Sequence, residues 1–252
     1  MRDTTEVTKV AVLVPARLES SRFPRKPLVK LLGREMILHV LDRITSKFPI
    51  QDTYVATDSI EIIQIVENSG FQSVITGKHL TGTDRLAEAN QKIGADLVIN
   101  IQGDEPAFNP QDVLDSIKFL RENRFSVITG FCELSDWEES NDPNTIKVAF
   151  SESNRLLYIS RAPIPGSKNK IGRLFYRQVC MYGYTKEALE KYASWERSRF
   201  EKVEDHELLR FLEHDIDVGL VPLSNWSIPV DLPSDVKVAE EQIKKIFYER
   251  LV

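Results

Sequence analysis

Val10-Ala11-Val12-Leu13-Val14 and the loop behind it, Pro15-Ala16-Arg17-Leu18-Glu19-Ser20-Ser21-Arg22-Phe23-Pro24-Arg25-Lys26-Pro27, decide how this chain folds. The five apolar residues run without polar alternation, the pattern of a short strand buried on both faces of a parallel sheet, and Pro15 ends it. Open α/β sheets place their ligands beyond the carboxyl ends of such strands. Between Arg17 and Arg34 there are six basic residues and one acid. That concentration on one loop makes a positive well for a small polyanion. The loop is neither G-x-x-x-x-G-K-[ST] nor G-x-G-x-x-G, so the P-loop and the dinucleotide fingerprint are both missing. Composition leaves two readings open, a solvated basic loop and a triphosphate site. The position after the first strand and the rigid prolines favour the second.

Outward from this point, strand and helix signals alternate. Met36, Ile37, Val40, Leu41 and Ile44 recur at three and four, the apolar stripe of a helix that also carries His39, expected to be packed or capped. Thr53–Ala56 predicts a strand, Ile60–Val66 a helix closed by Gly70, Ser73–Ile75 a strand and Thr83–Ala89 a helix. Leu97–Ile101 is the clearest strand, and Pro110–Leu120 a helix with proline in its first turn. This alternation argues for a doubly wound α/β sheet. From about residue 125 the pattern turns β-rich, with strands expected at 126–132, 145–150, 156–160 and 178–184. Helices follow at Lys186–Tyr192 and Val203–Leu212, then a strand at Val218–Val221 and a last helix from Pro233.

The chain has 252 residues, 42% of them apolar, and a net charge of −5 from 33 Lys+Arg against 38 Asp+Glu. A core of ordinary size is affordable without disulfides or structural metal, and the acidic balance disfavours a nucleic-acid partner. Cys132 and Cys180 form neither a disulfide framework nor a zinc spacing, and Cys180 is expected to be a buried small residue. No apolar run approaches the ~18 residues of a membrane span. The first residues lack the layout of a secretion signal, so cytoplasm is the expected compartment. Trp137, Trp195 and Trp226 have no repeated spacing and are expected in core or interface.

Two further clusters carry chemistry. Gln102-Gly103-Asp104-Glu105-Pro106 ends the strongest strand. A carboxylate there, beside a phosphate loop, suits Mg²⁺, which binds through one or two carboxylates, waters and substrate phosphates; a turn or a helix cap is the plainer alternative. His79-Leu80-Thr81-Gly82-Thr83-Asp84-Arg85 places small residues and donors before a helix, fit for a phosphate or a base edge, or simply for capping.

Taken in order, these motifs resemble the CMP-Kdo synthetases, the 3-deoxy-manno-octulosonate cytidylyltransferases of lipopolysaccharide assembly. The likeness runs from Pro15-Ala16-Arg17 through Lys26-Pro27-Leu28, Ala56-Thr57-Asp58, Gly82-Thr83-Asp84-Arg85 and Asn100-Ile101-Gln102-Gly103-Asp104-Glu105-Pro106. It continues through Ser160-Arg161-Ala162, Tyr182-Gly183-Tyr184, Glu204 with Glu207, and Val230-Asp231. The resemblance implies a Rossmann-like nucleotidyltransferase fold over residues 1–252: a mixed, mostly parallel sheet with helices on both faces. It implies a homodimer, with a β-rich insertion at about residues 126–200 serving the dimer contact and the acceptor sugar. It implies CTP and an acidic ulosonic sugar as substrates, Mg²⁺ as cofactor, and Arg17, Lys26 and Asp104 as the catalytic residues. Pro15, Ala16, Arg17, Arg22, Lys26, Thr81, Gly82 and Arg85 would hold the nucleotide. Asp104 and Asp231 would hold the metal. Gln102, Arg161, Gln178, Tyr182, Glu204 and Glu207 would line the sugar site, the last two on one face of a continuous helix.

The chain departs from the family pattern at four places. Arg25 stands where the family has glycine, Leu80 and Thr81 replace Gln and Ser, Gln178 replaces a histidine, and Leu232 and Ser234 alter the neighbours of Asp231. Gln178 keeps hydrogen-bonding capacity without a titratable group. Two alternatives to a Kdo acceptor follow: an amino-modified octulosonate or a nonulosonate, and a catalytically silent nucleotide-binding protein.

Overall fold

β1 (Val10–Ala16) is the spine of the computed structural model, which describes residues 8–19, 23–134, 141–166, 168, 175–224 and 229–249. Its side chains alternate between two cores, as a strand buried on both faces must. Val10, Val12 and Val14 pack with α1 (Met36–Thr45), α2 (Ile60–Asn68) and α4 (Gln111–Glu122) on one face. Ala11 and Leu13 pack on the other with α3 (Gly82–Ile93), α5 (Lys186–Ser194) and α7 (Leu208–Glu213). α6 (Arg199–Glu204) lies between α5 and α7 in sequence, and α8 (Asp235–Glu249) covers a small third cluster around Leu31, Met36 and Val230.

The other strands are β2 (Lys30–Leu31), β3 (Arg34–Glu35), β4 (Thr53–Thr57), β5 (Gln72–Ile75), β6 (Leu97–Ile101), β7 (Val127–Leu134), β8 (Lys147–Phe150), β9 (Leu156–Ser160), β10 (Phe175–Thr185) and β11 (Val218–Pro222). The main sheet runs in the order β11-β7-β10-β6-β1-β4-β5. Every neighbour pair along it is parallel except those of β10, which is antiparallel to both β6 and β7. β7 and β10 are thus central strands of the one sheet, and only β8 and β9 leave its path.

Three differences from the sequence reading have physical reasons. β1 continues through Pro15 to Ala16, because β6 stops pairing at Leu13 while β4 pairs on to Ala16, leaving the proline nitrogen on an unpaired side. The short hairpin β2–β3 carries no strand signal in the sequence; its two-residue turn, Leu32-Gly33, has φ of 51° and 84°, a left-handed pair that glycine eases. The expected helix 203–212 is two helices, broken at Asp205 (φ 48°). His39 is buried and bonds Leu31 O at 2.8 Å. Cys132 is buried and Cys180 half-buried, and the two are not joined by a disulfide. Trp195 stacks on His214, whereas Trp137 and Trp226 lie outside the described residues. No helix among them is long and apolar enough to cross a membrane.

Candidate functional site

The carboxyl ends of β1 and β6 open into a cavity of about 430 Å³. Its floor is the end of β6 and the turn beyond it. Asn100 of the strand and Gln102 and Asp104 of the turn all line the cavity. Gly103 lets this strand end press against the next layer; an added Cβ would meet Ile37 Cδ1 at 3.3 Å and Val14 Cγ1 at 3.4 Å.

The basic loop returns to the floor through backbone bonds, Arg25 N to Leu18 O and Leu28 N to Arg25 O. A short 3-10 turn, Lys26–Leu28, then aims Lys26 inward. Its Nζ lies 2.5 Å from Asp104 Oδ2 and 3.1 Å from Asp231 Oδ1. Burial depresses the Lys26 pKa, but Asp104 and then Asp231 more than offset it, and the net shift is upward. Asp231 arrives from the segment ahead of α8, held where Val230 N donates to Asp104 O and Asp231 N to Asp235 Oδ2. Two hard oxygen donors therefore converge on one cation, which is the donor set Mg²⁺ uses. No cluster of three or more His, Cys, Asp or Glu stands among the described residues, so protein ligands to a metal here would number about two.

The roof is the start of α3. Thr81 caps it, accepting from Asp84 N at 3.1 Å. The next two N–H groups, Gly82 and Thr83, donate to the two carboxylate oxygens of Glu207 at 3.1 and 2.9 Å. Burial pushes the Glu207 pKa up and these donors pull it back, leaving it raised. Arg85 is buried behind the cap, donating to Thr76 Oγ1 at 2.6 Å and pairing with Asp58 at 3.4 Å. Leu80, 83% exposed, stands at the rim.

The far wall combines Tyr182 of β10 with Arg197, Asp205, His206 and Glu207. His206 is fixed by a chain of bonds. Gln178 Nε2 donates to Thr129 Oγ1 at 3.0 Å, so Gln178 Oε1 accepts from His206 Nε2 at 2.8 Å, and His206 Nδ1 accepts from Leu208 N at 3.3 Å. Burial first, and then Arg161, lower the His206 pKa to about 4, so the ring is neutral.

Pro15, Ala16, Arg17, Lys26, Thr81, Gly82, Arg85, Gln102, Asp104, Tyr182, Glu207 and Asp231 of the expected set line one cavity. Arg22 lies outside the described residues. Arg161, Gln178 and Glu204 are not among the lining residues. Glu204 accepts from Ser160 Oγ and Arg161 N at 2.6 and 2.8 Å, bracing β9 against the break at Asp205. Glu204 and Glu207 therefore do not share a helical face, because they sit on opposite sides of that break. The sequence reading gives no site role to Asn100, Arg197, Asp205 or His206. Asn100 shares the motif that carries Gln102 and Asp104, which could have flagged it; Arg197 sits between helices in no motif. Asn100 Oδ1 is buried without a hydrogen-bond partner, an acceptor at the cavity floor that calls for a donor from a ligand.

A cytidylyltransferase family model matches residues 11–218. An 8-amino-3,8-dideoxy-manno-octulosonate cytidylyltransferase of Shewanella pealeana is 37% identical over 93% of this chain and 98% of its own length. A 3-deoxy-manno-octulosonate cytidylyltransferase of Escherichia coli is 33% identical over 90% of this chain and 93% of its own. Among solved structures, a CMP:2-keto-3-deoxy-manno-octonic acid synthetase complexed with CTP superposes with a TM-score of 0.88 at 31% identity, covering 94% of this chain and 99% of that one.

Proposed function

The chain belongs to the cytidylyltransferase family, and from that premise we propose that it transfers CMP from CTP to the anomeric hydroxyl of a Kdo-type 3-deoxyulosonic acid, releasing pyrophosphate. The observation that carries the reading is the convergence of Lys26, Asp104 and Asp231 at the strand ends, in a cavity walled by Arg17 and the start of α3. An in-line attack on the α-phosphorus asks the protein mainly to position reactants and neutralise charge. Arg17 and Lys26 meet the triphosphate and stabilise the departing pyrophosphate. Asp104 and Asp231 would hold Mg²⁺, which when bound supplies Lewis acidity and lowers the pKa of a coordinated hydroxyl. Asn100 Oδ1 accepts from a substrate hydroxyl, and Tyr182 and Gln102 border the acceptor. The same proposal places the enzyme in the cytoplasm as a homodimer supplying an activated acidic sugar for lipopolysaccharide.

A second reading, an 8-amino-octulosonate acceptor, is favoured by Gln178 in place of the family histidine and by the 37% identity to a relative of that name. A pyrophosphate-release screen over nucleoside triphosphates and ulosonic acids tests both. Release with CTP and a Kdo-type acid is expected, and the ratio of kcat/KM for Kdo and its 8-amino form separates the two readings. CTP binding with no release on any acid would sink both and leave a silent nucleotide-binding protein.

A further inference from the structure

An acidic sugar brings a carboxylate into the acceptor end, and a cation must meet it there. Arg161, which the resemblance assigns to the sugar, spends its guanidinium elsewhere. Its Nε donates to Glu204 O at 2.7 Å, Nη1 to Pro143 O at 2.9 Å and Nη2 to Asp205 O at 3.3 Å. Among the described residues, the lysines and arginines lining the cavity are Arg17, Lys26, Arg85 and Arg197. Arg17 and Lys26 belong to the basic loop, and Arg85 is 4% exposed and held by Asp58 and Thr76. Arg197 alone stands on the wall with His206 and Glu207.

We propose that Arg197 binds the carboxylate of the acceptor and thereby sets the preference for acidic sugars, an inference that rests on the function proposed above. The guanidinium is anchored from behind and replaceable in front. Its Nε lies 3.4 Å from Glu201 Oε1, a fully buried carboxylate that also takes two bonds from Arg210 at 2.8 and 2.6 Å. Its Nη2 meets Asp205 Oδ1 at 3.1 Å, and the Asp205 side chain is 78% exposed. An ion pair this open to water is weak. A substrate carboxylate can displace Asp205 and take the guanidinium edge in a two-pronged contact. The break at Asp205 serves this arrangement, since it turns Asp205 and His206 toward the cavity in place of a continued helix.

The test is steady-state kinetics with CTP and two acceptors: the ulosonic acid that the wild-type protein uses, and the same sugar with its carboxylate converted to an amide. Arg197→Gln is expected to raise the KM for the acid by about 10- to 100-fold with the KM for CTP unchanged. It should also erase most of the preference for acid over amide, and Arg197→Lys should restore part of it. A purely structural Arg197 would shift both KM values and the melting temperature together while leaving the acid-to-amide ratio at its wild-type value; that result overturns the inference. Absence of wild-type turnover on every ulosonic acid would overturn the proposed function and this inference with it. Normal wild-type turnover with an unchanged ratio in Arg197→Gln would overturn this inference alone.

Discussion

The two ends of the cavity are built by different means. At the end proposed for the triphosphate, Arg17 and Lys26 sit on the loop leaving β1, Asp104 on the turn beyond β6 and Asp231 on the segment ahead of α8. Lys26 reaches two carboxylates, Asp104 and Asp231, that come from sequence-distant segments. At the end proposed for the acceptor the wall is a broken helix, and its side chains are held by bonds across elements: Glu207 to α3, His206 to Gln178, Arg197 to Glu201. Loops anchored at strand ends take their direction from the sheet. A wall made of cross-element bonds can exchange partners while the sheet beneath stays the same. The first end is therefore suited to invariant chemistry and the second to a choice of acceptor.

The largest effect should come from the first end. Asp104→Ala removes one of the two carboxylates around Lys26, and pyrophosphate release should fall by about a thousandfold or more, roughly 4 kcal/mol of transition-state stabilisation. The fold should survive, because Asp104 is partly exposed and its backbone carbonyl, not its side chain, holds Val230. Near-normal release in Asp104→Ala would break the comparison by moving the chemistry away from the strand ends.

At the second end, the leading effect is on stability. His206 has its pKa lowered to about 4 by burial, so the folded state holds it neutral while the unfolded chain takes up a proton near pH 6.5. Its stabilising contribution is therefore complete above about pH 6.5 and is lost as pH falls toward 4, roughly 3 kcal/mol over that interval. Urea unfolding at pH 7 and pH 5 should show wild type losing about 2 kcal/mol more than His206→Gln. Equal losses in the two proteins would mean that the ring titrates freely and that the network through Gln178 does not hold it. Glu207→Ala is the next step down. It leaves the Gly82 and Thr83 N–H groups without their carboxylate and should cost about 1–2 kcal/mol. Glu207→Gln, keeping one acceptor oxygen, should recover about half, and no loss in either variant would argue that water replaces the cap.

The contrast between the two ends also explains what could be read from the residues alone. β1, β6 and the loop after β1 announce themselves, since unbroken apolar runs, a proline stop and a burst of positive charge are all local signals. Gly82, Thr81 and Asp104 followed from the same local patterns. The acceptor wall was not legible in this way. Apolar periodicity runs on through 203–212, so nothing local marks the break at Asp205. Tertiary bonding imposes it: the Glu204 carboxylate is taken by Ser160 and Arg161 and that of Glu207 by the start of α3, and one straight helix could not serve both. The resemblance assigns Gln178 to the sugar site because a family histidine stands at its place, and nothing local shows that its partner is His206, 28 residues away.

The smallest prediction concerns Arg25, where the first end departs from its family's glycine. Its backbone sits at φ 60°, ψ 24°, the left-handed region, so glycine at this place answers a conformational demand and not a need for space. Holding arginine there costs about 1 kcal/mol. In return its guanidinium pairs with Glu61 of α2, but the two side chains are 57% and 43% exposed, and a pair so open to water adds little. Glycine would relieve the left-handed strain but would add freedom to the unfolded chain, so the effects oppose one another. Arg25→Gly should therefore change unfolding stability only slightly and leave the KM for CTP within about twofold, because the Arg25 side chain points to α2 and not to Lys26. If Arg25→Gly instead raised the KM for CTP tenfold, Arg25 would belong to the phosphate cradle. The triphosphate end would then share the adaptability seen at the acceptor wall, and the contrast between the two ends would fail at its firmest point.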